Sequence, residues 1–261
     1  MANDVTRYST EVFFKGALPL MKYIAADDAS LRAKFKGVNA VYQVSAMDGN
    51  EKKAIHFIVT NGTWEAIQGV YDGKIDGGLA FSSCEKFVAF MKGDMTKLPK
   101  FIIGNPGKFV KFMLVLLKMS SLLTAKEAPA DNDTCVLICK CYFYLLTVGI
   151  SSLNKMGEPL MANWIAKSPD RVYQMEVATN PEITAHLRFA HGKSKACKGA
   201  CTRCEPFFTM RFATPQDALA ILLGTGDMFN MTASGQLQLV GGPEFGVQLS
   251  ELLFKIAEYA Q

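Results

Sequence analysis

The chain has 261 residues, 49% of them hydrophobic and 20% charged, with a formal net charge of +4. That is the composition of an ordinary globular protein with a sizeable core, built as one large domain or two of typical size. The Lys and Arg residues are scattered rather than blocked together, which excludes the basic stretch expected of a nucleic-acid-binding protein and leaves at most a weak attraction to anionic lipid surfaces.

From the amino terminus, "MANDVTRYSTEVFF" carries acidic and polar residues where a secretory signal needs a basic start and an apolar run, so a cytoplasmic protein is expected. In "AIHFIVTNG" at 54–62, Ile55, Phe57 and Val59 fall on one face with a period of two, the pattern of a half-buried strand, and the closing residues are turn chemistry. After "LAFSS" at 79–83, where Ser82 or Ser83 can cap, a helix is predicted with Phe87, Phe90 and Met91 on one stripe and Gly93 at its end. A short strand, "KFIIG", then leads into an apolar helix, "GKFVKFMLVLLKMSSLL". The polar stretch "TAKEAPADNDT" at 124–134 is the natural boundary, dividing the chain into domains at 1–128 and 129–261. Beyond it, "CVLICKCYFYLLTVGISSL" is interrupted by Lys140, as the preceding apolar run is by Lys111 and Lys118. Neither offers the roughly 20 uninterrupted residues of a membrane span, so buried or amphipathic helices are expected.

The second half repeats the first. "VYQVSAMD" at 41–48 returns as "VYQMEVAT" at 172–179, and "AIHFIVTNG" returns as "TAHLRFAHG" at 184–192, matching His56 with His186 and Gly62 with Gly192. "LAFSS" answers "MRFAT", and "GDM" occurs at 93–95 and 226–228, so Gly226 is expected to end the second helix as Gly93 ends the first. Thr214 with Pro215 starts that helix, whose stripe is Leu219, Leu222 and Leu223. Each copy therefore runs helix, four strands, helix, strand, helix. The fold class is α+β, two tandem domains, each an antiparallel-rich five-stranded sheet covered by helices on one face.

This order, with "TPQDALAILLGTGDMFNMTASGQLQLVGGPEFGVQLSELL" at 214–253 and its "G-x-L-x-x-x-G" strand of Gly235, Leu237 and Gly241, resembles the sterol carrier protein 2 family of lipid-binding domains. The resemblance covers the second copy from about 172 onward, the first more loosely. It implies an apolar cavity between sheet and helices holding a fatty acyl chain, acyl-CoA, sterol or phospholipid, in a non-enzymatic carrier. The candidate lining is Phe87, Phe90, Met91, Phe109, Met113 and Leu117 in the first copy, and Leu219, Leu222, Leu223, Phe245, Leu249, Leu252 and Leu253 in the second. A periodic apolar face is equally the signature of plain core. Lys108, Lys111 and Lys118 on the first terminal helix add a candidate peripheral contact with membranes.

Seven cysteines, odd in number and clustered, fit reduced thiols or a metal better than a disulfide framework. "KACKGACTRC" puts Cys197, Cys201 and Cys204 in a C-x₃-C-x₂-C run, and with His191 six residues earlier the set has the ligand types for zinc or an iron–sulfur cluster. The competing reading is therefore a metalloprotein or redox accessory protein, with redox-active or incidental thiols as a further alternative. A third hypothesis is an interaction scaffold with closed cores. Lys193, Lys195, Lys198 and Arg203 favour the thiolates by charge. Counting on from Gly62 and Gly192, these cysteines occupy the places of Ile67, Tyr71 and Lys74, so they decorate a scaffold that forms without them.

Overall fold

The structure, a computed structural model, describes residues 3–260. The chain divides into two compact units, the first running to Ser121 and taking in Tyr259, the second spanning Leu122–Glu258.

The first unit opens with helix α1 (Asp4–Glu11), continued by a π-helical turn (Val12–Ala17) and a short 3-10 turn, then α2 (Met21–Asp27) and α3 (Ala29–Phe35). Asn3 caps α1 and Asp28 caps α3, each side chain accepting a backbone N–H that the first helical turn leaves over. Strands β1 (Ala40–Asp48), β2 (Glu51–Thr60) and β3 (Thr63–Gln68) form an antiparallel meander. β4 (Gly77–Phe81) crosses back to lie parallel to β1, helix α4 (Cys84–Met91) follows, and β5 (Lys100–Ile103) pairs antiparallel with β4 before α5 (Pro106–Leu123). The sheet order is β3-β2-β1-β4-β5.

The second unit begins with α6 (Asn132–Met156) and α7 (Pro159–Lys167). Strands β6 (Arg171–Val177), β7 (Ala185–Ala190), β8 (Lys193–Lys198) and β9 (Phe208–Phe212) follow, then α8 (Pro215–Leu222), α9 (Met228–Ala233), β10 (Leu237–Val240) and α10 (Pro243–Ala260). Its order, β10-β9-β6-β7-β8, is the first sheet's, and β6 and β9 are parallel as β1 and β4 are. The expected antiparallel-rich sheet is thus corrected: both sheets are mixed, because the fourth strand joins next to the first in the same direction. A parallel neighbour cannot be reached by a hairpin, so residues 69–76 and 199–207 must cross over the sheet.

The meander turns share one geometry. Asn61 and His191 both take φ +51°, followed by Gly62 and Gly192, as two-residue hairpin loops require. The first helix cap is Ser83, accepting from the Lys86 N–H at 3.3 Å; the second is Thr214, which forms a reciprocal capping box with Asp217. Gly224, not Gly226, is the left-handed residue after α8, in the place of Gly93. The two "GDM" stretches are therefore not equivalent: the second lies two residues further beyond its helix end than the first.

The helix-facing side of the first sheet carries Tyr42, Val44, Phe57, Leu79 and Phe81, all buried, with Tyr42 stacked between Trp64 (5.3 Å) and Phe112 of α5 (5.1 Å). In the second unit Tyr173 takes the place of Tyr42 and packs on Phe189 and on Trp164 of α7. Both tyrosine hydroxyls are buried without a hydrogen-bond partner. Helix α6 lies against β7 and β8, where Ser151 Oγ donates to the Ser194 carbonyl at 3.1 Å. Among the described residues α6 is the one helix long and apolar enough to cross a membrane, which corrects the expectation that Lys140 rules this out by composition; most of its apolar window is buried in the protein. Cys135, Cys139 and Cys141 are buried along it, their thiols protected from ionisation by desolvation in the cases of Cys135 and Cys139.

One substitution distinguishes the units. Asp76 accepts from the Val41 N–H (2.9 Å) and from Lys108 Nζ (3.0 Å), whereas the second unit places Phe207 and Phe245 there, rings 4.6 Å apart beneath the Arg171 guanidinium. Desolvation by itself raises the Asp76 pKa, but the Val41 N–H and the Lys108 ammonium outweigh it and hold the carboxyl below its ordinary value. Its folded pKa lies below its unfolded one, so this stabilisation is full above the unfolded value of about 3.9 and is lost as pH falls through the folded value. Asp76→Asn is expected to cost the first unit about 1 kcal/mol at neutral pH. Asp76→Ala, which also orphans the Val41 N–H, is expected to cost about 2 kcal/mol. Acid titration of stability checks both: the variants should lose less stability than the parent below pH about 4, and equal acid slopes would refute the assignment.

Candidate functional site

Each crossover is pinned to the outer face of its sheet by the same two hydrogen bonds. His56 Nδ1 lies 2.8 Å from the Gly69 carbonyl and the Tyr71 N–H donates to Gln43 Oε1 at 2.7 Å. In the second unit His186 Nδ1 lies 2.8 Å from the Gly199 carbonyl and the Cys201 N–H donates to Gln174 Oε1 at 2.9 Å. A side chain pointing away from the helices thus satisfies backbone that has left the ladder. The paired histidines hold loops in place.

Over the second sheet this loop roofs an open cleft of about 660 Å³. Its floor is the polar face of the β7–β8 pair, where His186 faces Cys197 and Arg188 faces Lys195 across the ladder. Basic groups dominate the lining: Arg171, Arg188, Lys195, Lys198 and Arg203 against Asp170 and Glu205. Cys201 Sγ and Cys204 Sγ stand 3.6 Å apart. Desolvation raises the Cys201 pKa, but the N–H groups of Arg203 and Cys204, the Cys204 thiol and the nearby Arg188 charge overcome it and bring the group below an ordinary thiol. Cys204, as the partner that hydrogen-bonds the Cys201 sulfur, is held above the ordinary value. Behind the loop, Gln174 Nε2 donates to Glu176 Oε2 at 2.5 Å, and Glu176 is ion-paired with Arg211 of β9.

The four candidate metal ligands are not assembled. Cys197 is on β8, Cys201 and Cys204 are in the loop after it, and His191 sits in the turn before it. The length of β8, at about 3.3 Å per residue, lies between His191 and the thiol pair. The His191 imidazole is 89% exposed, with Nε2 3.4 Å from Asp170. Among the described residues no group of three His, Cys, Asp or Glu side chains is placed to hold a metal ion. The alternative zinc or cluster set is thus not assembled among the described residues, because close spacing in sequence does not by itself give convergence in space.

The apolar candidates divide by burial. Phe87, Leu219, Leu249 and Leu252 are fully buried core. Phe90, Met91, Phe109, Met113, Leu222, Leu223, Phe245 and Leu253 are half-buried, and Leu117 is exposed. None of the thirteen lines the basic cleft. Gln174, Arg188 and Glu176 were missed by sequence reasoning. The signal for the first was present, since Gln43 and Gln174 recur in "VYQ"; nothing local marked the other two.

A second feature is shared by the terminal helices. Counted from Pro106 and Pro243, the buried residues Phe112, Val115 and Met119 of α5 occupy the positions of Leu249, Leu252 and Ile256 of α10. The outward positions correspond too: Val110 and Leu117 are 57% and 58% exposed, Val247 and Phe254 are 60% and 71% exposed. Leu114 of α5 and Phe101 and Ile103 of β5 extend the first of these apolar faces.

No protein-family model matches the chain, and no curated protein matches it. Among solved structures it is similar to a conserved hypothetical protein of Thermus thermophilus, described as "possibly sterol carrier protein", with a TM-score of 0.28 and 8% identity over 39% of this chain and 82% of that one. It is also similar to the stereoselective inverting sec-alkylsulfatase of a Pseudomonas species, with a TM-score of 0.25 and 13% identity over 66% of this chain and 30% of that one. The chain thus spans less than a third of the sulfatase. Neither likeness is close enough to carry an argument about function.

Proposed function

We propose that this protein binds and carries a hydrophobic ligand, an acyl chain, acyl-CoA, sterol or phospholipid, in two units that are copies of one sterol-carrier-like domain. The carrying observation is the pair of exposed apolar side chains retained at the same two positions of α5 and α10, Val110 with Leu117 and Val247 with Phe254, on helices whose opposite faces are buried. Single exposed apolar residues need no explanation, but the same two positions exposed and apolar in both units mark a surface for contact, continuous through Leu114 on α5 and flanking Glu251 on α10. An acyl chain or sterol ring laid along it leaves water at roughly 25 cal/mol per Å² without any directed polar group. The half-buried residues Met91, Phe109, Met113, Leu222, Phe245 and Leu253 add partly exposed, adaptable apolar side chains. The element order of each unit, shared with the family the sequence resembles, supports the same reading. Carriage needs no catalytic group, and seven cysteines with no disulfide among them suit the reducing cytoplasm. Lys111, among the described residues the one lysine of α5 without an acidic partner in the ion pairs of this unit, favours loading at an anionic membrane surface, while Lys108 and Lys118 are held by Asp76 and Asp28.

The test is titration of the full chain with cis-parinaric acid, a fluorescent fatty acid, and mass analysis of lipid extracted from purified protein. The quadruple variant Val110→Ser, Leu117→Ser, Val247→Ser, Phe254→Ser is expected to bind at least about tenfold more weakly, from loss of side chains that contribute about 1.5–3 kcal/mol each when fully buried. Stability should move little, because surface substitutions away from structural features stay within about 0.5 kcal/mol each. Unchanged affinity in this variant would refute the reading.

A further inference from the structure

The crossover loop of the second unit holds chemistry that carriage does not use. We propose that Cys201 and Cys204 form a redox-active dithiol that exchanges with low-molecular-weight disulfides bearing carboxylates, in the basic cleft of the second unit. The inference is independent of the carrier reading.

The geometry carries it. The two sulfurs are 3.6 Å apart in a C-x₂-C spacing and need close by only about 1.5 Å to reach the bond length of a disulfide. Cys204 is exposed and Cys201 half-buried, so both are reachable from solvent. The loop is held still at the reacting residue, since the Cys201 N–H is anchored to Gln174, which is tied in turn to Glu176 and Arg211. Arg188, Lys195 and Arg203, which line the cleft, concentrate an anionic reactant beside the thiols. The first unit, built on the same two loop hydrogen bonds, has Tyr71 and Lys74 at these places and carries no thiol there.

Electrostatics assigns the roles. Backbone N–H groups, the Cys204 thiol and Arg188 favour the Cys201 thiolate against desolvation, and Cys204 keeps its proton. Cys201 therefore attacks. Its thiolate displaces one sulfur of a disulfide R–S–S–R, forming Cys201–S–S–R and releasing RS⁻. Cys204 then gives up its proton to a released thiolate and attacks the Cys201 sulfur, forming the Cys201–Cys204 bond and releasing the second RS⁻. Two electrons leave the dithiol, and the small disulfide is reduced to two thiols. Cys84, Cys135 and Cys139 are buried with thiols pushed up by desolvation, so those three are withdrawn from the exchange.

The experiment treats the reduced full chain, handled without oxygen, with glutathione disulfide, which carries carboxylates, and with cystamine, which is cationic. Peptide mapping is expected to find one new intramolecular bond, Cys201 to Cys204. Cys204→Ser should stop at a mixed disulfide on Cys201, and Cys201→Ser should react at least about tenfold more slowly. Glutathione disulfide should react about tenfold faster than cystamine at low salt, and Arg188→Gln should shrink that preference. Four results would overturn the proposal: a bond that uses Cys197 instead, a mixed disulfide formed first on Cys204 in the unsubstituted chain, equal rates with the two disulfides, or zinc found bound to these cysteines in the purified chain.

Discussion

Phe112→Ala is expected to destabilise the first unit by about 3–5 kcal/mol, the cost of removing an aromatic ring from a packed core and leaving its cavity. Phe112 is fully buried and stacks on Tyr42, which in turn stacks on Trp64, so the cavity would open at the centre of the sheet–helix layer where rigid rings surround it. Leu117→Ala, five residues along the same helix, is expected to change stability by less than about 0.5 kcal/mol, because its side chain is 58% exposed. The contrast is sharp because both residues belong to one apolar run. Urea unfolding of a chain carrying Trp164→Phe isolates the first unit, since Trp64 is then the single tryptophan left. Similar losses for the two variants would mean that α5 buries a different face from the one described.

Gly241→Ala is expected to cost the second unit about 3 kcal/mol. Two penalties add at this position. Its φ of +110° lies where an L side chain is strained by about 1–3 kcal/mol. A Cβ there would also stand 2.8 Å from the Phe207 carbonyl oxygen, a backbone atom at the end of the crossover that has little room to yield. Gly104 occupies the corresponding place after β5, where a Cβ would meet the Ile75 carbonyl oxygen at 2.1 Å, so Gly104→Ala should destabilise the first unit as well. Both glycines let the residue after the edge strand pass against the end of the crossover. The closing glycine of the "G-x-L-x-x-x-G" pattern thus has a physical cause in close backbone approach. Denaturation followed by Trp164 fluorescence in a Trp64→Phe background measures the Gly241 effect; a loss under about 1 kcal/mol would show that the loop relaxes around the new methyl group.

How far the sequence could be read depended on how one-sided each pattern was. In α10 the polar residues Glu244, Gln248 and Glu251 share the outer face with Val247 and Phe254, and the predicted Leu249 and Leu252 are buried. In α5 nearly every position from Phe109 to Leu117 is apolar. The predicted face of Phe109, Met113 and Leu117 lies about a third of a turn from the buried one of Phe112, Val115 and Met119, at 3.6 residues per turn. A helix apolar all round has no phase to read. The alternative metal set is not assembled for a related reason. The spacing of Cys197, Cys201 and Cys204 is compatible with a ligand set, yet only the Cys201 and Cys204 sulfurs meet, and His191 lies at the other end of β8.

By itself the sequence determined what local chemistry dictates. Alternation marked the strands, Ser83, Thr214 and Pro215 marked the helix starts, the turns followed Asn61 and His191, and the recurrence of "VYQ" and of His56 as His186 revealed two similar halves. The tertiary structure alone decided that β4 joins β1 and β9 joins β6 in parallel. Strand direction depends on pairing between segments far apart in the chain, which no local period encodes. That choice forces each crossover over the polar face of its sheet, and it brings Cys201 to Gln174, His186 and Arg188 from three separate stretches of sequence.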